Sequence, residues 1–167
     1  SRAFDRIGEF QYWIDTARVS GTDTSINYGN AGALSRVRSV TVDQVNGSAF
    51  DAGLTWRTPL PGEPSLTVSY ASARGGFRQT GLQENKWRYN GVNRFRNYGE
   101  VLRPELANLK IATISLGIPL LTNSSVELAY HRFQQQLATD ELRDARITNG
   151  LTGRHTAIGD ELDVLLG

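Results

Sequence analysis

Apolar and polar residues alternate with period two in segments longer than the strands of an ordinary globular sheet. Across 47–57, Ala52, Leu54 and Trp56 point one way while Asp51, Gly53, Thr55 and Arg57 point the other. Across 64–74, Leu66, Val68 and Tyr70 oppose Thr67, Ser69, Ala71 and Ala73. Across 125–135, Val126, Leu128 and Tyr130 oppose Glu127, Ala129 and His131, and near the end Leu162, Val164 and Leu166 oppose Glu161, Asp163 and Leu165. Successive side chains of a strand leave on opposite faces, so each segment predicts a strand with one apolar face. Six strands follow: 9–19, about 38–58, 65–74, about 107–120, 125–135 and 160–167. Several reach about 10 residues, where globular strands average roughly 5–6 and a tilted membrane-crossing strand takes about 9–11. The longest predominantly apolar stretch, 114–121, falls far short of the roughly 20 residues a helical span requires. A membrane placement would therefore use strands.

The connections alternate in length. Short turns rich in turn formers occur at 59–64 and 121–124, while long polar loops are expected at 20 to about 37, 75 to about 106, and 137–159. Short turns at one end and long loops at the other are the pattern of outer-membrane barrels. Compact soluble domains seldom carry several long structureless loops. Tyr12, Trp13, Trp56 and Tyr70 fall near strand ends, where aromatic girdles form at membrane interfaces. The expected fold is all-β, an antiparallel transmembrane β-barrel, with 1–167 as one domain without an internal boundary. Six strands are fewer than the roughly eight of the smallest bacterial barrels, and an open sheet in lipid would leave edge backbone groups unpaired. The chain is thus expected to be an internal piece of a larger barrel, consistent with a start at Ser1 and an absence of Met. The competing fold is a soluble carbohydrate-binding β-sandwich, with Trp13, Trp56 and Trp87 as sugar-stacking platforms.

Charge narrows the function classes. A net charge of +1 supplies no overall field for nucleic-acid binding. There is no Cys, which removes thiolate metal sites and Cys nucleophiles. His131 and His155 have no second ligand at metal-binding spacing, and the acids of 160–163 follow strand alternation rather than a calcium loop. No nucleophile elbow or phosphate-binding glycine loop is present, and no carboxylate pair is singled out for hydrolysis. The expectation is a protein without catalytic residues, metal or cofactor. Of the 18 cationic residues only Lys86 and Lys110 are lysine, and arginine offers a planar fork that matches carboxylates. Residues 74–103 hold Arg74, Arg78, Lys86, Arg88, Arg94, Arg96 and Arg103 against Glu84 and Glu100, seven positive against two negative, or +5 in a chain of +1.

The stretch 77–109, FRQTGLQENKWRYNGVNRFRNYGEVLRPELANL, resembles the alginate export family of outer-membrane barrels. FRQTGL at 77–82 and YGEVLRPELANL at 98–109 are the most specific parts, and ELAYHRF at 127–133 and GDELD at 159–163 fall where the family has similar strand segments. The resemblance implies a monomeric barrel of about eighteen strands, secreting an anionic polyuronate through an arginine-rich constriction held partly by loops folded into the lumen. It also implies outer-membrane lipid and lipopolysaccharide as surroundings and periplasmic export-scaffold proteins as partners. Arg94 and Lys86 are the implied constriction residues, and Arg103 sits in the family's Gly-Glu-x-x-Arg pattern.

The residues add further expectations. Arg96 shares a face with Arg94 if the segment is extended, and Glu100 is placed to ion-pair with an arginine. Arg57 lies on the polar face of its strand and is expected in the lumen, as are the acids Glu127, Glu161 and Asp163, read as a wall ladder. A ring of cations in a pore selects anions. On the same architecture, a diffusion porin for small anions is the alternative.

Overall fold

The structure, a computed structural model, describes residues 2–4, 7–31, 34–79, 86–87, 95–121, 123–142, 145 and 150–167. It is all-β. In chain order the strands are β1 (Arg2–Phe4), β2 (Gly8–Ala31), β3 (Leu34–Arg57), β4 (Ser65–Ala73), β5 (Lys86–Trp87), β6 (Phe95–Arg96), β7 (Leu109–Leu121), β8 (Ser124–Gln135) and β9 (Ala157–Leu166). Among the described residues, β1-β2-β3-β4-β7-β8-β9 form one antiparallel sheet, and β5 and β6 pair separately. The six long strands fall where alternation placed them. β3 and β4 are joined by a tight turn with Thr58 N–H donating to the Pro64 carbonyl at 2.9 Å, and β7 and β8 by two residues.

Register turns the alternation of single strands into rows across the sheet. One outward row reads Phe10, Trp56, Leu66, Leu116, Leu128 and Val164, and the next reads Tyr12, Leu54, Val68, Ile114, Tyr130 and Leu162. Leu54, Val68, Ile114, Leu116, Leu128, Leu162 and Val164 are all exposed, whereas the intervening Thr55, Thr67, Thr113, Ser115, Glu127, His131 and Asp163 are buried. A water-soluble sheet does the reverse. From Ala112 to Leu120 the exposed stripe of β7 runs eight residue steps, about 27 Å along the strand or about 20–22 Å along the normal of a barrel tilted by about 35–45°. That height fits the lipid-facing apolar band of about 25 Å. The sheet is part of the wall of a transmembrane β-barrel.

Three expectations are corrected. Residues 20–37 do not form a long loop: β2 and β3 continue as a paired ribbon up to Ala31 opposite Leu34, with an irregularity between Asn27 and Tyr28. Both faces of this ribbon are largely exposed, so no buried face marks it as the wall strands are marked. Trp13 does not join a lipid-facing girdle. It has the parity of Gln11 and Asp15 and turns inward over Gly53, where a Cβ would collide with its ring. The 75–106 connection also contains the β5–β6 pair and is not structureless.

Candidate functional site

The inward face is polar, and most of its buried groups find partners within the wall, while Ser65 Oγ, Glu127 Oε2 and His131 Nε2 are buried without a hydrogen bond among the described residues. Gln11, Thr55, Thr67, Ser115, Ala129 and Asp163 form one row, in which the Thr55 and Thr67 hydroxyls lie 2.9 Å apart. In the next, the Thr113 hydroxyl lies 2.8 Å from His131 Nδ1, and His131 Nε2 lies 3.5 Å from Asp163. Ser115 donates to Glu127 at 3.1 Å, opposite Gly117 in the register. The Thr55, Thr67, Thr113 and Ser115 hydroxyls are tolerated in the wall because each finds such a partner.

Toward the long-connection end, the chain folds back over this face. Phe77, Tyr98, Leu106 and Leu142 pack with Ala49, Ala71, Ala73, Leu109, Ile111 and Phe133 in a buried apolar cluster. Around it, wall carboxylates hold the folded segment by its backbone. Glu100 N–H donates to Asp163 at 3.2 Å, and Val101 and Leu102 N–H donate to the two oxygens of Glu161 at 2.6 and 3.0 Å. Asp51 accepts from the Tyr98 hydroxyl at 2.7 Å and from Trp13 Nε1 at 3.0 Å. Gly99 makes the approach possible: its φ is +90°, and a Cβ there would stand 2.6 Å from a Glu161 oxygen. Successive N–H groups converging on carboxylates are strong charge-assisted bonds.

The expected site residues fall into three groups. Arg103, at φ +47°, bonds Glu100 through its backbone oxygen and carboxylate, the latter at 3.0 Å. Arg57 pairs with Glu9 at 3.3 Å across the β2–β3 register on the inward face. Glu161 and Asp163 sit under the folded segment, and Glu127 lies nearer the short turns; among the described residues none of these three acids ion-pairs with Arg or Lys. The β5–β6 register sets Lys86 directly opposite Arg96. Arg94 lies outside the described residues.

Sequence reasoning missed Asp51 and Arg78. Asp51 could have been found from its polar parity beside Trp13, but its partner Tyr98 is distant in the chain. Arg78 joins Asp23, and Asp43 at 3.0 Å, which oppose each other in the ribbon. Burial lowers the proton affinity of its guanidinium, but bonding and attraction from Asp43 and Asp23 more than offset this and raise its pKa above the ordinary value.

The geometry is thus a lipid-facing band outside, a polar wall inside, and a segment bound inward upon that wall. The family model described as alginate export matches residues 1–166. This chain belongs to the alginate export family. The alginate production protein AlgE of Pseudomonas aeruginosa is 26% identical over 163 residues, covering 93% of this chain and 33% of that relative. The AlgE of Azotobacter vinelandii is 28% identical over 116 residues, covering 64% of this chain and 23% of that relative. The chain spans about a third or less of the curated alginate-family relatives it matches.

Proposed function

We propose that this chain is part of an outer-membrane channel that exports an alginate-like polyuronate, guided by arginine and lysine side chains and without a chemical step. The observation that carries the reading is the stretch 98–103, held on the wall carboxylates by its backbone, within a sequence segment 75–103 that carries six cations against two acids. Asp163 and Glu161 accept backbone N–H groups and Asp51 accepts Tyr98. The stretch therefore covers acids that would repel a polyanion and brings Arg103 beside them. The β5–β6 register brings Lys86 and Arg96 of the same segment to one pair of positions. Arg94, Lys86, Arg96 and Arg103 form the anion-guiding set, with Glu100 orienting Arg103 and Arg57 lining the lumen lower down. The whole protein is a monomeric barrel of about eighteen strands, surrounded by outer-membrane lipid and lipopolysaccharide and supplied by periplasmic scaffold proteins.

Single-channel recording of the full-length protein in planar bilayers tests this. Chloride-selective current blocked by polymannuronate or polyguluronate is expected, with Arg94→Ala weakening the block about tenfold, on the scale of one lost arginine–carboxylate bond. A channel whose current ignores the polymer would reduce the function to a porin for small anions. No channel would remove the transport reading.

A further inference from the structure

On the outward face, just past the apolar band and toward the long connections, a groove of about 810 Å³ opens over β2, β3, β4 and β7. Arg18, Arg74 and Lys110 line it, and no carboxylate does. The register explains their convergence. Arg18 stands opposite Ser48, whose carbonyl accepts the Arg74 backbone N–H at 3.1 Å, and Lys110 stands opposite Ser72, which in turn opposes Phe50. Gln136 completes the rim by donating to the Ser72 hydroxyl at 2.6 Å. Among the described residues, none of the three cations has a side-chain hydrogen bond or an ion pair. Arg132 on the same face differs, because the register sets Asp160 opposite it.

Three uncompensated cations in one groove repel one another, and a multivalent anion relieves that repulsion. The level of the groove decides which anion. Phe50 and Tyr70, with ring centroids 5.7 Å apart, lie at its lower margin, where aromatic residues mark the interface between hydrocarbon and headgroups. We infer that the groove binds the phosphate groups of a phosphorylated glycolipid of the surrounding outer leaflet. The inference rests on the reading that these strands span the outer membrane with the long connections outside. The two guanidiniums each offer a fork to phosphate oxygens, and Lys110 adds a point charge.

The test uses full-length protein folded in a nonionic detergent, with folding verified by heat-dependent electrophoretic mobility and circular dichroism. Its affinity is measured for lipid A, a bisphosphorylated acylated disaccharide, for the dephosphorylated lipid, and for inorganic phosphate. The expected result is tight binding of the phosphorylated lipid alone. Each of Arg18→Ala, Arg74→Ala and Lys110→Ala should weaken it about fivefold, and the triple variant about a hundredfold, on the scale of cations at an anionic lipid surface. Channel conductance should not change. Should the triple variant fail to fold, the single variants decide. Equal binding by the variants, or by dephosphorylated lipid, overturns the inference while leaving the barrel intact. Inorganic phosphate competing at equal concentration would reassign the groove to a free anion. Failure of the unsubstituted protein to fold as a barrel overturns the membrane reading and this inference together.

Discussion

Along β7, Ile114, Leu116 and Ile118 are exposed while Thr113 and Ser115 are buried, and along β8 Leu128 and Tyr130 are exposed while Glu127, Ala129 and His131 are buried. The two faces of the sheet thus obey opposite solvation rules. Outward side chains need only be apolar and need no specific partner, because lipid tails accept any hydrocarbon surface. Inward side chains are specific: Thr113 serves His131, Ser115 serves Glu127, and Glu161 serves two particular N–H groups. One face tolerates any change that keeps it apolar, and the other tolerates few changes of any kind.

The strongest way to break this comparison is a charge at the middle of the outward face. Leu116→Arg should cost about 2–4 kcal/mol in urea unfolding of the full-length protein from lipid vesicles, and Thr16→Arg, in a row near the rim, about 0–1 kcal/mol. Equal costs at the two positions would mean that Leu116 does not face hydrocarbon.

The outward face was the legible part of the sequence. Leu54, Val68, Leu128 and Val164 each stand two residues from another apolar side chain in the same strand, so period two alone reports the face they share. The ribbon beyond Val19 was not legible as strand. Its β-branched Thr22, Thr24, Ile26, Val40 and Val42 suit a strand, but Gly21, Gly29 and Asn30 punctuate it and neither face is buried. The inward anchor was illegible for a different reason. Glu161 and the N–H groups it accepts are about sixty residues apart, and no local pattern records that contact. Arg103 bonds Glu100 and Arg57 pairs with Glu9, and no local sequence pattern specifies which acid each arginine meets.

A smaller effect should follow from releasing the anchor. Gly99→Ala introduces a Cβ 2.6 Å from a Glu161 oxygen at φ +90°, a strain of about 1–3 kcal/mol. Glu161→Gln removes the charge from two backbone bonds while preserving shape, at about 1–2 kcal/mol. Both should raise the cleavage rate of 97–108 by an added protease in the folded protein, with wall strands unaffected and Gly99→Ala the more severe. Resistance equal to the unsubstituted protein would show that the apolar cluster around Phe77 and Tyr98 holds the segment without the carboxylates.

The least costly change sharpens the comparison at its upper edge, where the wall ends and the ribbon begins. Asp23 and Asp43 are direct cross-strand neighbours, and like charges so placed oppose pairing. Arg78, from the inward-folded segment, bonds both and so couples the ribbon to that segment. Its partners are about half exposed, so solvent screening limits the contribution to about 1 kcal/mol or less. Arg78→Ala should therefore leave global unfolding nearly unchanged but speed amide exchange in 20–31 and 36–45 by up to about fivefold. Adding Asp43→Asn should return part of that protection, because it removes the repulsion that the arginine had masked. If Arg78→Ala alone leaves ribbon exchange unchanged, the ribbon is held by its own ladder. The inward segment then governs only the lumen beneath it, not the structure above the membrane.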